Sequence, residues 1–443
     1  MAHLLAQIEG AVITGQELYD YEAYFHDKSG LSYTIPEYLV FAHSRSDIEK
    51  VVEFCMEKKK KLSVVGGRTG YSGAANARGG VVVSLEKMNR VLDFFKEDAI
   101  IHVEAGIITD AITELSAGEG LMYPVKFAAT GSSQIGGNIA TNAGGVHVLR
   151  YGTTRAQVLS LEVVTGRGDV LNTGSAVLKD ASGLSLKDLF IGSEGRLGII
   201  TRAYLRLVPI PRSLVCVLCA LSCLAALAPL AKLARQKASL HALEFWDLAC
   251  QKILEKKSSL RPLFNRDFAY YVLIEWEAES QEVQSVLEEA LSCSLIEDAL
   301  YAETALARKE LWKYRERISE SLSHGNKVFK YDISIPPFRL SDFLRNLQRN
   351  APEIYPTLNM VVFGHLGDGN VHLNFLLDEK EKAIEHNSLD LWVYEQVIAA
   401  GGSLSAEHGL GQLKRSWYAK FFPQNFHFQQ QVESIFDPHG ILR

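Results

Sequence analysis

The stretch VVGGRTGYSG, residues 64–73, follows an apolar run and brings four glycines, a threonine and a serine together within ten positions. Glycine turns readily through positive φ, so successive backbone N–H groups can point into one concavity and bind an anion. The pattern is neither the G-x-G-x-x-G that opens a dinucleotide-binding helix nor a phosphate loop that ends in Gly-Lys-Ser/Thr. It predicts an anion-binding loop of another kind, and taken alone it also fits an ordinary glycine-rich turn.

Two more glycine clusters lie downstream in the same strand-rich region. The first is GSSQIGGNIATNAGG, residues 131–145, and the second is GSEGRLGIIT, residues 192–201. Each cluster offers backbone N–H groups and hydroxyls that can donate hydrogen bonds to an anion. Three clusters of this kind are hard to explain as ordinary turns. Together they favour a long, phosphate-bearing cofactor laid across a single domain.

The size and charge of the chain narrow its function further. Its 443 residues predict two or three domains, and 47% hydrophobic with 22% charged residues predict an ordered globular protein. The net charge of −6 gives no reason to expect nucleic-acid binding. The start MAHLLAQIEG lacks the features of a signal peptide. We therefore expect a cytoplasmic location, and we leave open a peripheral association with the inner face of the membrane.

Hydrophobic periodicity divides the chain into four stretches. Ser44 precedes a helix-spaced apolar pattern, and the uncharged run 213–231 predicts a buried strand followed by a helix. Strands alternate with helices from residue 214 to 297, and a long helix is predicted from about 303 to 324. We expect an N-terminal segment (1–35), a glycine-punctuated domain (36–211), an α+β domain (212–378) and a C-terminal helical segment (379–443).

The stretch GHLGDGNVHLNF, residues 364–375, combines two histidines with a glycine-rich turn. It predicts a hairpin with GDGN (367–370) as the loop, in which His365 pairs directly with His372. Directly opposed residues have Cβ atoms about 4.5–5.5 Å apart, so both imidazoles could bind one metal ion. A third ligand is normally needed, and Glu407 in SAEHGLGQLKR offers a carboxylate. Zn²⁺ and Mn²⁺ both suit this set, and a surface hairpin with solvated histidines stays open.

The order of these motifs resembles a known family. The series GGRTGYSG, GGVVVSLEKMNRV, IGGNIATNAGG and LFIGSEGRLGIIT is similar to the FAD-binding flavoproteins of the vanillyl-alcohol oxidase type. The hairpin and SAEHGLGQLKR resemble their 2-hydroxy-acid dehydrogenase branch, which includes D-lactate dehydrogenases, the flavin subunit of glycolate oxidase and D-2-hydroxyglutarate dehydrogenase. The resemblance implies an α+β fold, with a two-part FAD-binding domain of that type, an α+β substrate (cap) domain and a helical C-terminal segment that packs back on the FAD domain.

The resemblance also implies where FAD binds. Covalently flavinylated relatives carry a histidine in the first glycine cluster, and this chain has none there, so we expect non-covalent FAD. Arg68 departs from the small or amide residue that is usual in the family. The implied cofactor-binding residues are Gly66, Gly67, Arg68, Thr69, Gly70, Ser72, Gly131, Ser132, Gly136, Gly137, Asn138, Thr141, Glu194, Gly198 and Ile199.

The active site implied by the resemblance combines a divalent metal with fixed cations. His365, His372 and Glu407 match the family's metal ligands, and His408 matches its general base, which removes the hydroxyl proton while a hydride passes to the flavin. The implied substrate-binding residues are Arg315, Ser319, Lys330 and Asn374. The implied reaction is the oxidation of a D-2-hydroxy acid, D-2-hydroxyglutarate or D-lactate, to the 2-oxo acid.

The partners follow from this reaction. The sequence shows no cysteine set suited to an iron–sulfur cluster, so electrons are expected to leave for an external carrier or a quinone. An alternative is the flavin subunit of a multi-subunit glycolate oxidase, which would need partner chains. A homodimer is equally open.

Overall fold

The computed structural model of the protein describes residues 4–237, 239–323, 327–377 and 386–442. Within these residues the chain forms two compact units. The first unit holds the described residues of Met1–Gly145, Gly152–Ile210 and Glu407–Arg443. The second unit holds Val146–Tyr151 and the described residues of Pro211–Ala406. The predicted domain boundary at 378/379 and the predicted end of a helix at residue 324 lie outside the described residues.

The strands of the described residues are, in chain order, β1 (Val12–Thr14), β2 (Tyr38–Phe41), β3 (Leu62–Val65), β4 (Val81–Ser84), β5 (Val91–Phe95), β6 (Ile100–Glu104), β7 (Leu121–Met122), β8 (Val158–Thr165), β9 (Val170–Gly174), β10 (Gly198–Arg206), β11 (Val208–Pro209), β12 (Leu214–Leu221), β13 (Ser239–Asp247), β14 (Tyr270–Glu277), β15 (Asp298–Ala302), β16 (Lys327–Ser334), β17 (Leu358–His365) and β18 (Asn370–Leu377). β1 to β11 belong to the first unit and β12 to β18 to the second.

The α-helices of the described residues are α1 (Arg45–Lys58), α2 (Thr109–Ser116), α3 (Ile135–Thr141), α4 (Val148–Tyr151), α5 (Thr154–Gln157), α6 (Lys187–Phe190), α7 (Leu227–Lys237), α8 (Leu248–Lys257), α9 (Ser280–Ser292), α10 (Ala305–Glu316), α11 (Ile318–Ser323), α12 (Leu340–Ile354), α13 (His386–Ala399), α14 (Arg415–Phe421) and α15 (Pro423–Phe436). Short 3₁₀ helices lie at Leu5–Gln7, Gly15–Tyr24, Ala117–Glu119, Leu224–Ala226 and Pro337–Arg339.

The first unit is built from a partly parallel and an antiparallel sheet. The first sheet has the order β1-β2-β4-β3, with β4 parallel to both β2 and β3, and the second has the order β5-β6-β10-β8-β9. The predicted helix after Ser44 is confirmed as α1, and the Ser44 hydroxyl caps it by accepting a hydrogen bond from the Asp47 amide. The apolar face of α1, with Ile48, Val51 and Val52, is buried in the core of this unit.

The second unit is built on a sheet whose strands follow the order β15-β12-β14-β13-β17-β18-β16. Directly paired side chains share one face of a sheet, so the pairs Glu244–His365 and Phe363–His372 put all four residues on the same face. On that face, Phe363 belongs to an apolar cluster with residues of α8 and α11. One part of the sheet face is therefore an apolar core, and the neighbouring part is polar.

Two predictions for the second unit meet different outcomes. The uncharged run 213–231 is confirmed as a buried strand, β12, followed by α7. The helix expected from about 303 is instead two helices, α10 and α11, which are separated at Arg317. None of the described helices combines the length and the apolar character that a membrane span needs.

Candidate functional site

A cleft runs through the first unit and is lined by the glycine clusters that the sequence singles out. The predicted cofactor-binding residues that line it are Gly66, Gly67, Arg68, Thr69, Gly70, Gly136, Gly137, Asn138, Thr141, Glu194, Gly198 and Ile199. Ser72, Gly131 and Ser132 are described but are not among its lining residues. The three separate clusters thus form one wall, as expected for a ligand that spans them.

Close backbone packing explains the glycine at position 67. A Cβ built there would lie 2.2 Å from the carbonyl oxygen of Ser132, so only a residue without a side chain lets the first two glycine clusters touch. Ser132 therefore contributes its backbone to the packing of the two clusters. Ser72 is buried, and its carbonyl oxygen accepts hydrogen bonds from the amides of Gln412 and Leu413.

The cleft wall carries buried polar atoms that fit a polar cofactor. Oε1 of Gln134 and Nη1 of Arg68 are buried and have no hydrogen-bond partner among the described residues. A bound diphosphate or ribose would satisfy such atoms, whose desolvation is otherwise costly. Arg68 also takes the left-handed conformation, with φ of 56°, and its guanidinium lies 4.0 Å from the ring centroid of Tyr24.

Arg78 is a cleft residue that the sequence reasoning missed. It is half-buried and lines the cleft. Burial, together with the nearby charges of Arg196 and Arg415, lowers the pKa of Arg78. Its position in an ordinary loop carried no motif, but the structure adds a second arginine to the cleft beside Arg68 and makes the site more attractive to an anion.

Glu194 joins the cleft to the loop that carries His408. Its buried carboxylate accepts a hydrogen bond from the Gly411 amide, which is 3.0 Å from each oxygen, and burial raises the pKa of Glu194 despite that bond. In the same loop, the ring centroid of His408 lies 5.0 Å from that of Tyr71, which follows the cleft residue Gly70. The predicted base therefore lies beside the rim of the cleft.

The hairpin in the second unit forms as predicted, but its register is shifted by two residues. His365 pairs with Asn370, and His372 pairs with Phe363, so the prediction that the two histidines are directly opposed is wrong. The loop is Leu366–Gly369, in which Gly369 has φ of 82° and donates to the carbonyl oxygen of His365. Asn370 joins the strand because its side chain donates to the buried Asp332.

The shifted register still brings the two histidines together. His365 and His372 lie diagonally on one face, with ring centroids 5.6 Å apart, and a nitrogen of one ring lies within 4.8 Å of a nitrogen of the other. His365 is 5% exposed, and its Nδ1 lies 2.7 Å from Oε1 of Glu244 on the neighbouring strand β13. A carboxylate behind a histidine in this way is the usual support of a metal ligand.

Glu244 also holds Arg315. Nε of Arg315 donates to its second oxygen, Oε2, at 2.7 Å, and both side chains are buried. Burial alone would raise the pKa of Glu244, but the charges of His365 and Arg315 hold it below its usual value. No local motif predicts a role for Glu244, although a single glutamate in the apolar strand LHALEFWD is a signal of one.

The other predicted substrate residues lie around this polar face. Lys330 on β16 is paired with Asn374 on β18 and donates to the hydroxyl of Ser323 at 2.8 Å. Although Lys330 as a whole is exposed, loss of water around its ammonium group lowers its pKa. Asn374 is buried, and its side-chain nitrogen donates to the carbonyl of His372. Ser319 is exposed in α11, beyond the break that ends the helix of Arg315.

Glu407 lies where the chain passes from one unit to the other. It is half-buried and follows directly on Ala406, the last residue of the second unit. A few residues earlier, Ser403 pairs with Ser334 at the end of β16, two residues from Asp332, which is itself paired with His372. The chain thus approaches Glu407 along the sheet edge next to the hairpin.

Comparison with known proteins identifies the family. Residues 36–174 match the model of an FAD binding domain, and residues 210–443 match the C-terminal domain of FAD linked oxidases. D-2-hydroxyglutarate dehydrogenase of Stutzerimonas stutzeri is 36% identical over 99% of this chain and 97% of its own. The chain belongs to the FAD-linked oxidases. Another relative of this FAD-linked oxidase, D-lactate dehydrogenase of Anaerostipes hadrus, is 31% identical over 97% of this chain and 93% of its own.

Solved structures agree with the predicted fold of this FAD-linked oxidase. The 4-ethylphenol oxidase of Gulosibacter chungangensis superposes with a TM-score of 0.72 at 18% identity, over 97% of this chain and 92% of that one. An alkyldihydroxyacetonephosphate synthase gives a TM-score of 0.70 at 17% identity, over 97% and 81%. The α+β fold of the vanillyl-alcohol oxidase type, the FAD cofactor and the class of FAD-dependent 2-hydroxy-acid dehydrogenases are confirmed.

Proposed function

We propose that this protein oxidises a D-2-hydroxy acid, with D-2-hydroxyglutarate or D-lactate as substrate, to the 2-oxo acid in a reaction that depends on non-covalent FAD and a divalent metal. The names of its relatives support the substrate class. The observation that carries the proposal is the polar sheet face on which Glu244 binds both Arg315 and His365, with His372 beside them. A guanidinium, two imidazoles and a carboxylate thus lie together on one face. This combination suits the binding of a substrate that carries a carboxylate and a hydroxyl group.

Arg315 is the group suited to the substrate carboxylate. Its Nε donates to Glu244, and within the described residues no hydrogen bond is donated by its two terminal nitrogens. Those nitrogens form the edge of the guanidinium that binds a carboxylate with two parallel hydrogen bonds. Lys330, Asn374 and Ser319 complete the proposed substrate site, with the lysine adding charge and the other two adding hydrogen bonds.

His365, His372 and Glu407 are the proposed ligands of a divalent metal, Zn²⁺ or Mn²⁺. Two imidazoles and one carboxylate are a borderline donor set that suits both ions and leaves positions open for substrate. The Nδ1 of His365 faces Glu244, which leaves its Nε2 as the ligand atom. A metal held by these residues would supply a positive charge that polarises the substrate hydroxyl, and the FAD would supply the redox chemistry as hydride acceptor.

His408 is the proposed general base that takes the hydroxyl proton. Its loop is fixed to the cleft through Gly411 and Glu194, and its ring packs beside Tyr71. A neutral imidazole nitrogen can accept a proton from a polarised hydroxyl and release it to water. An external carrier or a quinone is the proposed electron acceptor.

Anaerobic flavin reduction tests the activity. FAD-loaded, metal-loaded protein is mixed with D-2-hydroxyglutarate, D-lactate, D-malate or glycolate, and loss of the flavin absorbance is followed. We expect bleaching by D-2-hydroxyglutarate or D-lactate and none by the L enantiomers. Bleaching by glycolate alone would favour the flavin subunit of a glycolate oxidase, and a flavin left oxidised by all four acids would refute the proposed activity.

Substituting the base tests the mechanism. His408→Asn should lower the rate of flavin reduction by about 10²- to 10⁴-fold while FAD and metal contents stay at wild-type values. His427→Asn is the matched control, because His427 is an exposed histidine on α15 of the same unit. A His408→Asn variant that reduces its flavin at the rate of His427→Asn would exclude His408 as the base.

A further inference from the structure

Glu244 divides its two carboxylate oxygens between two partners, an arginine and a histidine. In the first unit, Arg90 takes both oxygens of the buried Glu104, with Nε on Oε2 and Nη2 on Oε1. Arg315 instead takes only Oε2 of Glu244, and His365 takes Oε1. If neutralising the arginine were the purpose of Glu244, the two-point pairing would serve better.

Glu244 is also not needed to hold α10 against the sheet. Trp312, one turn before Arg315 on α10, donates from its indole nitrogen to Glu275 on β14 at 2.9 Å. Leu311, Trp312 and Tyr314 pack against the apolar core of this unit. These contacts already hold α10 in place. The hydrogen bond from Arg315 to Glu244 therefore serves to orient the guanidinium group and is not needed to attach the helix.

From these contacts, and resting on the proposed function, we infer that Glu244 is a positioning residue that fixes the metal ligand His365 and the substrate-binding Arg315 at the same time. Through Oε1 it holds the proton of His365 on Nδ1 and so leaves Nε2 for the metal. Through Oε2 it turns both terminal nitrogens of Arg315 towards a substrate carboxylate. The binding of the metal and the binding of the substrate carboxylate therefore both depend on the single buried carboxylate of Glu244.

Two binding assays separate the two effects of Glu244→Gln. An amide can accept from His365 or face Arg315, but its NH₂ end cannot accept from a donor, so at least one contact is lost. We expect the affinity for Zn²⁺, measured without substrate, to fall about 10- to 100-fold. We also expect the affinity of metal-free, FAD-loaded protein for 2-oxoglutarate, read from the perturbed flavin spectrum, to fall about 10-fold because Arg315 is no longer oriented.

Glu275→Gln is the matched control. Glu275 is another buried carboxylate on the same sheet face and also contacts α10, but no contact joins it to His365 or Arg315 in the described part of the chain. We expect it to keep wild-type affinity for Zn²⁺ and for 2-oxoglutarate even if its thermal stability falls. Equal losses in Glu275→Gln and Glu244→Gln would overturn the inference, as would wild-type affinities in Glu244→Gln.

Glu244→Asp keeps the test decisive if the glutamine variant does not fold. It retains the charge but is one methylene shorter, so it cannot reach both partners in their present positions. A folded Glu244→Asp protein with reduced Zn²⁺ or 2-oxoglutarate affinity supports the inference, and one with both affinities unchanged overturns it. Failure of the proposed function is distinguished by the wild type, which would then bind Zn²⁺ and 2-oxoglutarate but leave its flavin oxidised with every hydroxy acid.

Discussion

Replacing Gly67 by alanine should weaken FAD binding without unfolding the first unit. The added Cβ would lie 2.2 Å from the Ser132 carbonyl oxygen and 2.8 Å from the Ser133 Cα, while Cβ contacts under 3.0 Å are essentially never seen. Both neighbours are backbone atoms, so relief requires the two glycine clusters to move apart by most of an ångström. Both clusters line the cleft. A cofactor that contacts both of them would have to bring them back together when it binds.

The expected size of the effect follows from this overlap. Packing one extra methyl group against a rigid neighbour costs about 1–3 kcal/mol. If that strain is relieved in the FAD-free protein and restored on binding, the dissociation constant rises about 10- to 100-fold, since about 1.4 kcal/mol corresponds to a factor of ten. The reaction of the FAD that remains bound should be almost unchanged, because Gly67 contributes no side chain to the chemistry.

The assay is a titration of the FAD-free protein with FAD, followed by the quenching of flavin fluorescence. Gly118→Ala is the control, since a Cβ at Gly118 would meet nothing within 4 Å and the residue is not in the left-handed conformation. Thermal unfolding of both FAD-free variants checks that the fold is kept. A Gly67→Ala protein that binds FAD as tightly as Gly118→Ala would refute the reasoning from close packing.

Three further predictions concern charge. Arg315→Lys should raise the KM for the hydroxy acid about 10-fold or more, because an ammonium cannot bind Glu244 and a carboxylate with a planar fork, and an unchanged KM in steady-state kinetics would contradict it. Burial raises the pKa of Asp247 to about 6, so the stabilisation from this group falls by about 3 kcal/mol as pH rises from about 4 to 7. The melting temperature of the wild type should fall over that pH range relative to that of Asp247→Asn. Melting temperatures of the two proteins that change in parallel with pH would contradict this prediction. Glu433→Gln should cost about 3 kcal/mol of stability, because it leaves Arg196 and Arg415 without their shared carboxylate, and an unchanged melting temperature would contradict this.

Local patterns made much of the fold predictable from the sequence. Ser44 and the apolar spacing after it specify α1 without help from distant residues. The three glycine clusters predict a shared cleft because each one combines glycines with hydroxyl or amide side chains in the same strand-rich region. The family resemblance then attaches a cofactor to that cleft, which composition and spacing could not do.

Contacts between distant residues explain what the sequence did not predict. Glu244 acts through Arg315, 71 residues away, and through His365, 121 residues away, so no local pattern reveals its role. The hairpin register depends on Asn370, whose side chain finds Asp332 on a strand that lies 38 residues earlier. The residues GDGN suit a hairpin loop as well as Leu366–Gly369 do. The register is therefore determined by contacts between strands of the sheet and not by the composition of the turn.

Residues near position 440 complete the first unit, and this affects when the unit can fold during synthesis. The Leu62 amide donates to the Ile441 carbonyl oxygen, and the Asp437 carboxylate accepts from the amides of Ile441 and Leu442. Leu442 also lines the cleft. A ribosome releases these residues only after the whole second unit has emerged, so the unit that contains the earliest residues can be completed only last. Uptake of FAD is therefore expected only after the second unit has been synthesised.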